Sequence, residues 1–422
     1  MTAGPQAAED SAATPSFSGE AVAAAWGWPA ETQNGRRPGV ADRWRDQAPR
    51  AAYLHIPFCS HRCGYCNFAV AAGRDDLMVD YVRCLEQELA ALGEPRPVDT
   101  IFIGGGTPTQ LPLPLLGRLL DSIARWLPLE PGGEWSLEAN PADVDDDLCS
   151  LLSSRGVNRL SVGCQSFDDA KLRSLDRQHT ASQGAAAIET AQRHFAAVSA
   201  DLIFAAPGET LDVWLRDLSL AAASGVPHVS TYSLTIEKGT RFFALRNRGE
   251  LVAAGEDAEA EMYAAAIDSL TVAGLGHYEV SNFARPGAEC RHNMAYWNGA
   301  AWWAFGAGAA RSVGGVRSVN HASTSRYMQL IGRGELPIAD RQQMSHAEWT
   351  IDRFVFGMRL LSGVDLAALR AEGESEVCGG IERLAGPLIE ERLMACQNDR
   401  LRLTRHGLVV SDALWPRFYR LL

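Results

Sequence analysis

The sequence predicts an α/β protein: a partial (β/α)6 barrel of parallel strands, followed by a smaller helical, winged-helix-like domain. Three observations predict it. From residue 51 onward, short apolar runs alternate with stretches whose apolar residues recur at helical spacing, the pattern of parallel strands joined by crossover helices. The segments just after these runs carry the unusual residue types, and in a barrel of parallel strands such segments share one face. Near residue 340 the alternation gives way to helical segments and a hairpin-like stretch.

Residues 1–49 are rich in Ala, Gly, Pro and Ser without sustained periodicity, and read as a disordered leader. Glu9, Asp10, Glu20 and Glu31 speak against an organelle transit peptide, which is poor in acids. The expected strands are AAYLHI (51–56), DTIFIG (99–104), WSLEA (135–139), RLSVG (159–163), ADLIFA (200–205) and HVSTYSL (228–234). Between the first two, Met78, Val82, Leu85, Leu89 and Leu92 mark the apolar face of a helix. A seventh run, HYEVSNF (277–283), follows a helix whose apolar face includes Met262, Ala266 and Leu270. These units put the barrel at residues 50–285. Residues 286–340 are expected to form a connecting segment, and residues 341–422 the C-terminal domain. In that domain helices are expected around Trp349 to Leu361 and Gly380 to Met394, and a hairpin in DRLRLTRHGLVVS.

A chain of 422 residues, 46% hydrophobic and 21% charged, holds enough apolar material for a large core. The formal net charge of -12 argues against a nucleic-acid partner, which would require a concentrated basic surface. No run of eighteen apolar residues is present, nor a charged N-terminal region followed by an apolar stretch, so a cytoplasmic location is expected.

Nine cysteines scattered over a long chain do not read as a secreted disulfide framework. Three of them cluster in HIPFCSHRCGYCNF: Cys59, Cys63 and Cys66. Three thiolates this close suit three irons of a cubane cluster, leaving the fourth iron open. A zinc site completed by His55 or His61 is the rival, although structural zinc usually draws its ligands from two separated pairs. Three core cysteines are the third reading. Beyond the next strands, Gly104, Gly105, Gly106 and Thr107 would let backbone come close to a ligand. Glu138, Gln165, Arg177 and Asp201 supply a carboxylate for an ammonium, a guanidinium for a carboxylate, and acceptors for hydroxyls.

The Cys-x3-Cys-x2-Cys spacing after a first strand resembles the signature of radical S-adenosylmethionine (SAM) proteins. In that family the cofactor's methionine group chelates the open iron, and an electron delivered to the [4Fe-4S] cluster cleaves the sulfonium. The resemblance narrows further. YLHIPFC, GGGTPT, EANP, GCQSF, DLIFAAPGET, EKGT and YEVSNFA together resemble the oxygen-independent coproporphyrinogen III oxidase family over residues 53 to about 310. FGMRLLSGVDL and LRLTRHGLVVSDAL follow in the right order, more loosely. By this similarity Tyr53, the glycines with Thr107, Glu138, Gln165, Arg177 and Asp201 would contact SAM.

That family contains a coproporphyrinogen III dehydrogenase and a heme chaperone, and two features separate them. The dehydrogenase pattern has a fourth cysteine two residues beyond the third, where this chain has Phe68. HNMAYW, from His292 to Trp297, followed by Trp302 and Trp303, resembles the His-Asn-x-x-Tyr-Trp segment of the chaperones. His292 is therefore a candidate heme ligand, with the tryptophans as apolar area for a porphyrin face. The opposing reading makes His292 a hydrogen-bonded structural residue. Cys290 lies two residues before it, but no Cys-x-x-Cys-His occurs. The dehydrogenase's long N-terminal strap has no counterpart in the low-complexity first 50 residues. The expectation is a heme chaperone with heme and acceptor hemoproteins as partners. A coproporphyrinogen III dehydrogenase is the alternative, and a radical methylase a third. Whether the protein is an enzyme, makes peripheral membrane contact or forms a homodimer stays open.

Overall fold

The structure is a computed structural model and describes Trp26 and residues 44–422. Six parallel strands lie side by side in chain order: β1 (Ala51–Ile56), β2 (Val98–Gly105), β3 (Leu129–Ala139), β4 (Arg159–Gln165), β5 (Ala197–Phe204) and β6 (His228–Ser233). Each coincides with an expected run, to within two residues at its C-terminal end. The connections carry α1 (Met78–Ala90), α2 (Leu113–Trp126), α3 (Asp146–Ser154), α4 (Ala181–His194) and α5 (Leu211–Ala223). Local chemistry starts these helices. Asp145, Thr180 and Thr210 each accept a hydrogen bond from a backbone N–H of the first turn, and Thr180 with Gln183 forms a reciprocal capping box. The α1 side chains Met78, Val82, Leu85 and Leu89 are buried against the sheet, as their spacing predicts.

The seventh run does not continue the parallel series. After α6 (Glu256–Val272) it splits into β7 (Gly276–Glu279) and β8 (Asn282–Ala284), antiparallel to each other, with β8 antiparallel to β6. The buried Glu279 carboxylate causes the break, because it accepts from the backbone N–H of Ser281 at 3.0 Å and from the Asn282 amide, folding the chain back on itself.

Residues 286–340 are also more than a connector. α7 (Arg291–Trp297) leads to β9 (Trp302–Phe305), which pairs parallel with β1 on the side away from β2. β10 (Ala310–Val313), β11 (Val316–Asn320), α8 (Thr324–Ile331) and β12 (Ile338–Gln343) follow, the strands all antiparallel to their neighbours. The sheet thus runs β12-β11-β10-β9-β1-β2-β3-β4-β5-β6-β8-β7. Gly314 and Gly315, with φ of 57° and 73°, make the two-residue turn between β10 and β11.

The C-terminal portion comprises α9 (His346–Gly357), α10 (Ser375–Glu390) and α11 (Ser411–Tyr419) around a small three-stranded sheet. Its hairpin lies earlier than expected. β13 (Met394–Gln397) pairs with β14 (Arg400–Leu403) through Asn398 and Asp399, both at positive φ. The residues after Thr404, expected in a strand, form a helix because the Thr404 hydroxyl accepts from the Gly407 N–H.

Most of the expected leader lies outside the described residues. The part within them is packed: Trp44 stacks on Trp349 at 5.5 Å, and Arg45 donates to the Met344 carbonyl at 3.3 Å. Trp26 is buried edge-on to Trp303 and Phe305, with the Arg311 guanidinium 5.1 Å from its ring. Ordered packing therefore includes residues expected to be disordered.

Candidate cofactor site

The C-terminal ends of β1 to β6 converge on a cavity of about 560 Å³. Along β4 the alternation of a pleated strand decides what faces it: Arg159, Ser161, Gly163 and Gln165 all line the cavity. Of the residues nominated from sequence, Cys59, Cys63, Cys66, Gly105, Gly106, Thr107, Glu138, Gln165, Arg177 and Asp201 line it too.

The cysteine loop leaves β1 at Ile56 and is closed at its base by a short parallel pairing of Phe58–Cys59 with Ala71–Ala72. The His55 imidazole spans the base, with Nε2 facing the Ala69 carbonyl at 2.8 Å and Nδ1 facing the Tyr53 hydroxyl at 3.0 Å. Nε2 must donate to that carbonyl, so Nδ1 accepts from the tyrosine. Burial pushes His55 below its ordinary range, keeping it neutral. Both nitrogens are spent, so His55 is not a zinc ligand here. His61 sits 3.7 Å from the Asp176 carboxylate. Among the described residues no three His, Cys, Asp or Glu side chains converge tightly enough to hold a metal ion. A cubane, by contrast, takes its thiolates at separate corners.

The glycines also make room for the cysteine loop. A Cβ on Gly105 would stand 2.3 Å from the His55 ring, and one on Gly106 would stand 2.7 Å from the Phe58 carbonyl oxygen. The space they leave is filled by the cysteine loop itself. The Gly106 N–H donates to Ile56 O at 2.8 Å and the Thr107 N–H to Phe58 O at 2.7 Å, so the end of β2 braces the loop from below. Gly106→Ala is expected to cost about 1–3 kcal/mol and to loosen the loop, because the obstruction is backbone that cannot rotate away. Urea denaturation and the rate of proteolysis within residues 57–70 would check this.

Polar groups then surround the thiols. The Thr107 hydroxyl lies 3.4 Å from the Cys59 sulfur, and Arg177 Nη1 donates to the Cys63 sulfur at 3.6 Å. Burial pushes the Cys59 thiol up to about 11, opposed by Thr107, so iron binding must release its proton. Arg177 Nη2 donates to Gly163 O at 3.1 Å, while its Nε is buried without a partner. That orphan donor suits an anionic ligand. Asp201 accepts from the Ser161 and Ser199 hydroxyls at 2.7 and 2.9 Å. Gln165 has a left-handed φ of 62°, at a register shift between β4 and β5.

Glu138 accepts from the Gly105 N–H at 2.9 Å. Burial, opposed by that single donor and assisted by Asp201, pushes its carboxyl up to about 7 from an ordinary 4.5. The folded chain therefore holds this proton more tightly than the unfolded chain. The resulting stabilisation is complete below about pH 4.5 and is lost as pH rises through about 7. The full shift would be worth about 3 kcal/mol, and water entering the cavity reduces this to about 1–2 kcal/mol. Glu138→Gln is expected to abolish that pH-dependent loss, read as urea midpoints at about pH 5 and about pH 8.

Three nominated residues, Gly104, Tyr53 and His292, stand apart from the cavity lining. Tyr53 spends its hydroxyl on His55 and stacks on Phe102 at 6.4 Å. His292 is 1% exposed, with Nδ1 3.0 Å from the Thr100 hydroxyl and Nε2 2.8 Å from the Tyr296 hydroxyl. Burial pushes it down to about 3, and both ring nitrogens are hydrogen-bonded. Trp303 is likewise buried against Trp26, so it offers no open platform. Conversely, Arg159, His228 and Tyr232 line the cavity and were not nominated. The first two open their strands, and the period of two from Ser161 and Ser230 was the available signal.

Residues 53–221 match the family model of the radical SAM superfamily. The heme chaperone HemW of Mycobacterium tuberculosis is 37% identical over 87% of this chain and 94% of its own length. The heme chaperone HemW of Bacillus subtilis is 34% identical over 87% of this chain and 99% of its own length. This chain belongs to the HemW family of radical SAM proteins. Membership of the radical SAM superfamily implies a [4Fe-4S] cluster and SAM, and the cavity's donors, orphan cation and carboxylates fit both. The solved structure of coproporphyrinogen III oxidase (HemN) from Escherichia coli shares the fold, with a TM-score of 0.78 at 21% identity over 91% of this chain and 92% of that one. Among the described residues no helix is long and apolar enough to cross a membrane.

Proposed function

We propose that the protein is a heme chaperone that binds heme and passes it to acceptor hemoproteins. In this reading Cys59, Cys63 and Cys66 hold the [4Fe-4S] cluster, and the cavity beside them holds SAM. When bound, the two supply reductive chemistry at a sulfonium. The chain's own residues bind and orient. Arg177 offers its unpartnered Nε to a carboxylate, Glu138 takes an ammonium in its second carboxylate position, and Asp201, fixed by serine hydroxyls, faces ribose hydroxyls.

The observation that carries the reading is Phe68. It lines the cavity mouth, 61% exposed, at the position where the dehydrogenase pattern has its fourth cysteine. No thiol or other proton-transferring group stands there. The full-length match to relatives named heme chaperones supports the same conclusion. The geometry of His292 supports a packing role, since ligation would break its bonds to Thr100 and Tyr296 and strand two buried hydroxyls.

The test is an anaerobic titration of the reconstituted protein with heme, beside an incubation with coproporphyrinogen III, SAM and reductant. Stoichiometric heme uptake without formation of protoporphyrinogen IX is expected, with uptake surviving His292→Ala. Turnover of coproporphyrinogen III would overturn the proposal, and so would indifference to heme.

A further inference from the structure

The cavity does not stop beneath the cysteine loop. It is lined along the whole of β4, from Gln165 at the C-terminal end to Arg159 at the N-terminal end, a span of about 20 Å at the rise of an extended strand. The nominated SAM contacts lie toward the cysteine end. The far end is built from Arg159, His228, Cys290 and Asn293.

Arg159 is 3% exposed. Its Nη1 donates to the Ala288 carbonyl at 2.9 Å, while Nη2 is buried without a partner. Asp201 feels this charge without forming an ion pair with it, and the neighbouring carboxylates hold other donors. Glu134 accepts from the backbone N–H of His292 at 3.1 Å and of Arg291 at 3.0 Å, and from the Ser136 hydroxyl at 3.2 Å. Asp201 is held by Ser161 and Ser199. His228 has Nδ1 2.8 Å from the Ser199 hydroxyl and Nε2 2.9 Å from the Tyr278 hydroxyl, and burial keeps it neutral. Cys290 is 3.5 Å from Glu134, and burial pushes its thiol up to about 12, so it too stays uncharged. A buried guanidinium with an idle donor and no ion pair is costly unless an oxyanion joins it.

We infer that the far end of the barrel cavity is a carboxylate-binding subsite in which Arg159 Nη2 is the recognition donor. The carboxylate belongs either to a free small acid or to the acidic arm of a larger molecule whose body fills the cavity. The titration below contains no heme, so failure of this site and failure of the chaperone reading are separable.

Isotope-labelled propionate, titrated into the full chain with its cluster and followed by nuclear magnetic resonance, tests this. One saturable site per chain is expected, with affinity reduced about tenfold or more in Arg159→Gln. Asn293→Leu, which fills the same end with an apolar group and leaves Arg159 intact, is expected to abolish binding and guards against misfolding of the first variant. Saturating SAM is expected to leave propionate bound. Absence of a saturable site, unchanged binding in Asn293→Leu, or displacement by SAM would each overturn the inference. Coproporphyrin III distinguishes the sources: displacement of propionate identifies an acidic arm of a macrocycle and retention a free acid, and both uphold the site.

Discussion

With Cys59, Cys63 and Cys66 all replaced by serine, iron in the anaerobically reconstituted protein is expected to fall from about four atoms per chain to none. Far-ultraviolet circular dichroism is expected to stay unchanged. The reason for the first result is ligand chemistry. Serine hydroxyls stay protonated where thiols can ionise, and the loop has no other ligand to substitute, since His55 is locked between Tyr53 and Ala69 and His61 is paired with Asp176. The reason for the second is where the loop's stability lies. Its base is held by backbone bonds from Gly106, Thr107, Ala71 and Gly73, and by the buried Phe58 ring 5.3 Å from Tyr81, none of which involves a thiol. Undiminished iron in the triple variant would remove the basis of the proposed site. Global unfolding would show instead that the thiols are structural.

The second large effect is expected far from the cavity, at Glu88 on α1. This carboxylate is fully buried and receives four donors: Arg311 at 3.0 Å, the Asn320 amide at 2.8 Å, the Gly306 N–H at 2.8 Å and the Tyr327 hydroxyl at 2.8 Å. It ties α1 to the β9–β12 extension. Glu88→Ala would leave Arg311 as an uncompensated buried charge, with a loss of about 3–5 kcal/mol expected from urea denaturation. Because an apolar pair of similar volume often replaces a buried ion pair without loss, Glu88→Leu combined with Arg311→Met is expected to recover more than half of it. A double variant no more stable than Glu88→Ala would show that the neutral partners, not the charge pair, dominate. The same network reaches the cysteine loop. Gly306 abuts the His55 carbonyl, to which Tyr81 donates at 2.7 Å.

Much of the barrel was legible because its signals are local. A run such as ADLIFA between amphipathic helices reads as a buried parallel strand whatever surrounds it, and the helix caps at Asp145, Thr180 and Thr210 lie within three residues of the groups they satisfy. The β10–β11 hairpin was missed although its signal was equally local: Gly314-Gly315 between Arg-Ser-Val and Val-Arg-Ser-Val. HYEVSNF misled because its break depends on a glutamate carboxylate turned back onto its own strand, which alternation does not reveal. The glycine run was recognised as a place where backbone passes closely, but the sequence cannot say against what.

By itself, then, the sequence determined the order of the six parallel strands, the spacing of three thiols after the first, and the ring of polar residues at the strand ends. Each of these follows from neighbours a few residues apart. Only the tertiary structure decided that His292 spends its ring on Thr100, 192 residues away, that the 302–343 segment extends the sheet beyond β1, and that Arg159 is left with an idle donor. Those outcomes turn on which hydrogen-bonding partners are buried together, and burial brings together residues that the chain order keeps apart.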